Sequence, residues 1–259
     1  MVALCWRAGG SLNTYNIDDV GYASATAAGL DGGTIDPTGA SISTKCGFSV
    51  VTYTGTGSNA TIAHGLGIKP AWIICKSAST SSDWRVYHQS LGNTKAVKFN
   101  TSEAAATSST YWNDTSPTST TVSLGTETDL NGSGRTHVMY CWSEIPGYSK
   151  FGSYRGNGDS DGTFVYLGFK PALVIFKSTT GENWQMKNNK QLGYNDQNHT
   201  LFVNNDNTEY TTAQMDLLSN GFKLRNAGGG SNGSDEPLIY AAWAEKPDTT
   251  SFDTFPNAR

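Results

Sequence analysis

The segment Asn157-Gly158-Asp159-Ser160-Asp161-Gly162 offers side-chain oxygens at alternate positions before a glycine, the pattern of a loop that folds around calcium. Where a full loop of that kind needs its bidentate glutamate the chain has Gly168, so Asn157, Asp159 and Asp161 form a weak metal candidate beside the alternative of an Asp/Gly hairpin. A nucleophilic hydrolase needs a serine or cysteine at a strained strand-to-helix elbow, and the two Gly-x-Ser-x-Gly matches, Gly158 to Gly162 and Gly229 to Gly233, precede no helical pattern. The histidines are His64, His88, His137 and His199; His64 reads as a turn or strand-end residue, and His88 and His137 as structural residues within strands. Paired carboxylates for glycoside hydrolysis could come from Asp83, Glu103, Asp114 or Glu127. Glu144 and Glu245 each follow a Trp at the end of a strand, where an ion pair or a turn explains them. The reading is of a protein without catalytic residues, resident metal or cofactor. Exposed aromatics are the remaining signal: Tyr111 and Trp112 in a polar loop, then Tyr194 and Tyr210. Such rings stack on the apolar face of a sugar while Asn and Asp bind its hydroxyls; alternatively they cover the ends of a sandwich or a subunit interface.

The elements that would hold these residues are short strands. The chain has 29 Gly and 15% charged residues, with Ser, Thr and Asn plentiful, which suits strands joined by tight turns. Helical segments are scarce: Glu103 to Ala106 is too short to nucleate alone, and Thr212 to Leu218 is a second candidate. A net charge of −4 without a Lys/Arg cluster argues against nucleic acid. The apolar runs are too short to insert in a membrane, and the start lacks a signal-peptide pattern, so synthesis in a cytoplasm is expected. Cys5, Cys46, Cys75 and Cys141 lie far apart and read as free thiols.

One register runs through most of the chain. Gly67-Ile68-Lys69-Pro70-Ala71-Trp72-Ile73-Ile74-Cys75-Lys76-Ser77 returns at an offset of 101 as Gly168-Phe169-Lys170-Pro171-Ala172-Leu173-Val174-Ile175-Phe176-Lys177-Ser178. Under the same offset Tyr53, Gly55 and Gly57 match Tyr154, Gly156 and Gly158, and Asn131-Gly132-Ser133 matches Asn232-Gly233-Ser234. That period is too long for a solenoid unit and fits one small all-β domain. The expected fold is all-β, with two tandem, duplicated β-sandwich domains of the jelly-roll or concanavalin-like kind. The expected boundaries are an N-terminal strand and extended arm over 1–46, repeats over 47–147 and 148–247, and a polar tail over 248–259. Trp84 to Tyr87 and Trp184 to Lys187 alternate as strands with one wet face, whereas Ala71 to Cys75 and Leu173 to Phe176 suit strands covered on both faces. Val2-Ala3-Leu4-Cys5-Trp6 echoes Val138 to Trp142, a closing strand, and is therefore an assembly candidate that completes a sheet elsewhere.

Several of these segments also resemble a known family. Phe48-Ser49-Val50-Val51-Thr52-Tyr53-Thr54-Gly55, His64-Gly65-Leu66-Gly67 with Pro70, Trp84 with Val86-Tyr87-His88, Leu91-Gly92, and Trp112-Asn113-Asp114 with Pro117-Thr118-Ser119-Thr120 are similar to a repeated domain of tail-fibre and other virion proteins of bacteriophages, especially marine ones. The resemblance continues through Ser149-Lys150 and Gly152-Ser153-Tyr154 over about 47 to 247. It implies a non-enzymatic virion component, on the tail or outer surface, assembling as a homo-oligomer such as a trimer. Its partners would be other virion proteins and a host-surface glycan. Two further expectations stand beside it: a purely structural capsid decoration or filament subunit assembled by strand exchange, and a polysaccharide depolymerase. The opening Cys5-Trp6-Arg7-Ala8-Gly9-Gly10 resembles the junction at which such proteins leave a preceding sandwich domain.

Overall fold

The computed structural model describes residues 4–191, 199–211 and 215–245. In chain order the elements are β1 (Tyr15–Ile17), β2 (Val20–Tyr22), β3 (Gly39–Ser43), β4 (Phe48–Thr54), β5 (Ala60–Ala63), β6 (Trp72–Ser77), β7 (Arg85–His88), β8 (Lys95–Lys98), β9 (Ala106–Thr107), α1 (Ser109–Trp112), β10 (Thr121–Leu124), α2 (Thr128–Asn131) and β11 (Thr136–Trp142). There follow β12 (Ser149–Arg155), β13 (Phe164–Tyr166), β14 (Leu173–Ser178), β15 (Gln185–Asn188), β16 (Leu201–Phe202), β17 (Met215–Leu218), β18 (Gly221–Leu224) and β19 (Pro237–Trp243). The chain is all-β and divides into two compact units: one from Met1–Ala96 and Ala106–Ser143, the other from Val97–Ala105 and the chain from Glu144 on.

The first unit faces a large sheet, β2-β1-β3-β4-β11-β6-β7-β8-β9, with a two-stranded one, β10-β5. Alternation along the strands sends Val51, Tyr53, Ile73, Cys75, Met139 and Cys141 from the large sheet to meet Ile62, Val122 and Leu124 from the small one. All nine are fully buried, each contributing about 1.5–3 kcal/mol of transfer free energy for a Val-, Leu- or Ile-sized chain. The second unit faces β12-β19-β14-β15-β16 with β13-β18-β17, and its core gathers Val174, Phe176, Leu238 and Tyr240 against Val165, Phe222 and Leu224.

The central strands of the two units repeat residue for residue at the offset of 101. In the first, β11 pairs antiparallel with β4 so that Thr136 faces Thr54 and Trp142 faces Phe48. In the second, β19 pairs with β12 so that Pro237 faces Arg155 and Trp243 faces Ser149. Beyond β6 and β14 the register slips by one: Cys75 faces Arg85, whereas Phe176 faces Gln185.

Four expectations need correction. The segment read as an arm over 1–46 contributes β1, β2 and β3 to the large sheet, β3 pairing with β4 from Gly39↔Thr52 to Ser43↔Phe48, and Leu30 and Ile42 join the core. Its strands are too short, and too rich in Gly, Ser and Ala, to show an apolar period. Val2 and Ala3 lie outside the described residues, while Leu4, Cys5 and Trp6 are not in a strand; the Trp6 ring packs instead on Phe48 at 6.1 Å and Trp142 at 5.3 Å. The helical candidate at 212–218 is strand β17 where it is described. Finally β7 and β15 have no wet face, since Val86, Tyr87 and His88, and Gln185, Met186 and Lys187, are all buried.

Candidate functional site

The second unit holds a cleft of about 410 Å³, within the range of small-ligand sites. Its floor begins at β15. Gln185 opens that strand opposite Phe202 of β16, is 7% exposed, and donates from Nε2 to the Gly230 carbonyl at 2.9 Å; its buried Oε1 has no hydrogen-bond partner in the structure. Just before it, Glu182 takes a left-handed φ of 91°, and Asn183 accepts a hydrogen bond from Asn204 at 2.8 Å. Lys177, buried on β14, donates to the Glu182 carbonyl and lies 5.9 Å from the Trp184 ring, which fixes this turn from beneath. Burial lowers the Lys177 ammonium to about 8.

One wall is aromatic. Phe202 and Tyr210 stand 6.4 Å apart, and Tyr210 is held by paired backbone hydrogen bonds with Thr200 of 2.7 and 3.0 Å while its side chain stays 51% exposed. The opposite wall is the loop from β18 to β19, in which Asn226, Gly228, Gly229 and Ser231 line the cleft. Asn226 Oδ1 shapes that loop by accepting from the Gly228 amide at 3.0 Å and from Ser231 Oγ at 2.9 Å. The Glu236 carboxylate accepts from the Gly230 and Gly233 amides and so is occupied. Among the described lining residues Glu182 carries the one carboxylate, and none is cationic. The arrangement can stack a flat apolar surface on one of two rings, which are tilted 42° to each other, and exchange hydrogen bonds with amides and a hydroxyl.

Of the aromatics singled out in the sequence, Tyr210 lies in the cleft and Tyr194 lies outside the described residues. Tyr111 and Trp112 are corrections: they belong to α1 and are 7% and 1% exposed, in the core of the first unit. The Arg85 guanidinium sits 5.1 Å over the Tyr111 ring, and Trp112 Nε1 donates to the Lys95 carbonyl at 3.0 Å, so neither offers a face to a sugar.

The Asn157 to Gly162 loop is closed by its own side chains. Asn157 Oδ1 accepts from the Asp159 amide, Asp159 Oδ1 from the Asp161 amide, and Asp161 is ion-paired to Lys223 at 2.9 Å and Arg225 at 3.1 Å. No group of three or more His, Cys, Asp or Glu side chains that could hold a metal ion occurs among the described residues. Nor is the segment the expected hairpin: it carries the chain from β12 in one sheet to β13 in the other, and its carboxylates are engaged by the loop's own amides and by Lys223 and Arg225.

His64 is fully buried: Nδ1 accepts from the Leu66 amide at 3.2 Å, which leaves Nε2–H to donate to the Thr118 carbonyl at 3.3 Å. Burial pushes its pKa down to about 4. His137 stacks on Tyr53 with ring centroids 5.2 Å apart, and burial lowers it too. Glu127 lies 3.8 Å from Arg85, Glu103 pairs with Lys98 at 3.0 Å, Glu144 accepts from the Phe151 amide, and Glu245 pairs with Lys190.

Sequence reasoning missed Gln185, Phe202, Asn226 and the glycine run Gly228-Gly229-Gly230. The run itself was the available signal, because three adjacent missing side chains leave space in a packed loop. No curated protein and no solved structure matches the chain. Residues 1–247 match the family described as Domain of unknown function (DUF7483), a span that takes in both units and the N-terminal strands, and the chain belongs to that family.

Proposed function

We propose that this protein is a non-enzymatic structural protein of a phage virion, a tail fibre or fibre-like appendage, that assembles as a homo-oligomer and contacts a glycan on the host surface. The observation that carries the glycan contact is the cleft of the second unit, where two aromatic rings face amide and hydroxyl side chains around a volume suited to sugar rings. The virion setting rests on the resemblance of 47 to 247 to phage fibre repeats. Repetition in an oligomer supports the same reading, because weak sites on one particle act together. The test uses the full chain, fluorescently labelled, on a panel of bacterial cells before and after mild periodate oxidation of surface diols. Binding that periodate abolishes is expected, and binding indifferent to periodate, or none, overturns the glycan contact. Release of reducing ends from cell polysaccharide by the same preparation would point to the depolymerase instead.

A further inference from the structure

The two units differ most where their common framework should make them alike. In the first, the position facing Cys75 of the central strand is Arg85, whose Nε binds Asp129 Oδ2 at 3.0 Å, whose NH2 lies 3.8 Å from Glu127, and whose guanidinium covers the Tyr111 ring. In the second, the position facing Phe176 is Gln185. The partners change with it. Asn131 N donates to the Glu127 carbonyl at 2.8 Å, and Asn232 N donates to the Gly228 carbonyl at 2.9 Å, so Gly228 stands where Glu127 stood and Gly230 where Asp129 stood. The ion-paired plug of the first unit is replaced by an amide and two glycines, Gly228 and Gly230, and the cleft lies at this place.

Resting on the glycan-contacting reading above, we infer that this unplugged position is a saccharide site, present in the second unit and closed in the first, that takes an uncharged sugar such as a hexose or an N-acetylhexosamine. Gln185, more than nine-tenths buried, holds the Gly230 carbonyl from the cleft floor through Nε2, and Asn183, Asn226 and Ser231 add amide and hydroxyl groups to the lining. A carboxylate on an acidic sugar meets no cation among the described lining residues and is repelled by Glu182. Phe202 or Tyr210 takes the apolar face of the ring.

The site is tested on the full chain with an array of neutral oligosaccharides of glucose, galactose and N-acetylglucosamine beside polysialic and oligogalacturonic acids, the hits then being titrated in solution. Three variants accompany the wild type. Gln185→Arg with Gly228→Glu rebuilds the Arg–Glu part of the plug; Gly229→Trp fills the cleft at a position whose added Cβ meets nothing within 4 Å; and Tyr210→Ala removes an exposed ring. Their thermal unfolding shows that they fold. Wild-type binding to a neutral saccharide, weakened about tenfold or more in each variant, is expected, a factor that corresponds to losing one stacked ring or one buried hydrogen bond. Binding that survives in the folded plug and Gly229→Trp variants overturns the site but leaves glycan contact standing elsewhere. A wild type that prefers the acidic polymers overturns the ligand class. A wild type that binds no saccharide, on the array or on cells, overturns both.

Discussion

Asn131 and Asn232, 101 positions apart and both fully buried, fasten the same loops in the two units. Asn131 accepts from the Thr56 amide at 2.8 Å and donates to the carbonyls of Ser58 at 2.7 Å and Gly125 at 2.9 Å. Asn232 accepts from the Asn157 amide at 3.1 Å and donates to the carbonyls of Asp159 at 2.9 Å and Asn226 at 2.6 Å. Each therefore satisfies three backbone groups that water reaches poorly, and alanine at either position should cost about 3 kcal/mol, because an orphaned buried group costs about 1–3. Urea unfolding reads this, and a loss below about 1 kcal/mol would mean that water replaces the amide. Burial also makes Asn131 inaccessible to sugar transfer although Asn131-Gly132-Ser133 is a glycosylation triplet. The importance of both asparagines was legible, since they repeat in register; the role of Gln185 was not, because its counterpart Arg85 has different chemistry and lies at an offset of 100. A second consequence belongs to His64. Its pKa is about 6.5 unfolded and about 4 folded, so between those values the unfolded chain binds the extra proton and stability falls as pH falls. The contribution is fully present above pH 6.5 and is lost by about pH 4, amounting to about 3 kcal/mol at most. His64→Gln should flatten the acid limb of stability against pH over that window; an unchanged limb would remove His64 as its source.

Among the elements, the strands that carry the repeat were the readable part. Phe48 to Thr54, Trp72 to Cys75 and Thr136 to Trp142 are rich in apolar residues and have counterparts at the offset of 101, and they lie in β4, β6 and β11. What escaped was set by pairing and packing: β1 to β3 have almost no apolar period and are held as β3 pairs with β4, β1 with β3 and β2 with β1, and β15 is buried on both faces despite its polar residues. The turns after β4 and β12 show why their glycines repeat. A Cβ on Gly55 would lie 2.4 Å from the Gly132 carbonyl oxygen, and one on Gly156 would lie 2.2 Å from that of Gly233. Because the obstacle is backbone, Gly55→Ala and Gly156→Ala should each destabilise by about 2–3 kcal/mol, the cost of overpacking where neighbours cannot yield. Gly32→Ala, with open space around it, serves as the control. Equal unfolding midpoints for Gly156→Ala and Gly32→Ala would show that the turn relaxes.

At the scale of the whole molecule, the sequence repeat and the folding units do not share boundaries. The repeat divides the chain near residue 147, yet the second compact unit takes in Val97–Ala105 from the middle of the first repeat. Within that unit Trp184 Nε1 donates to the Lys98 carbonyl at 2.8 Å, the Phe99 ring meets Trp184 edge-on at 5.1 Å, and the Ala105 amide donates to the Thr179 carbonyl at 2.9 Å. Trp184 is 1% exposed and stands directly before Gln185, so the borrowed segment also steadies the strand that floors the cleft. A fragment of 144–259 keeps the second core but leaves Trp184 Nε1 without its acceptor. Two hydrogen bonds at about 1 kcal/mol each and an aromatic pair at about 0.5–1.5 place the fragment about 2–4 kcal/mol below the same unit in the intact chain. Urea titrations followed by tryptophan fluorescence measure the difference, and the fragment should emit at longer wavelength before any denaturant is added. Equal stability and an unshifted spectrum would mean that 97–105 adds nothing, in which case a cut near residue 147 would free a self-sufficient unit. If the deficit appears, Phe99→Ala in the intact chain should reproduce the aromatic share of it, and saccharide binding should weaken as Trp184 loosens, although residue 99 does not line the cleft.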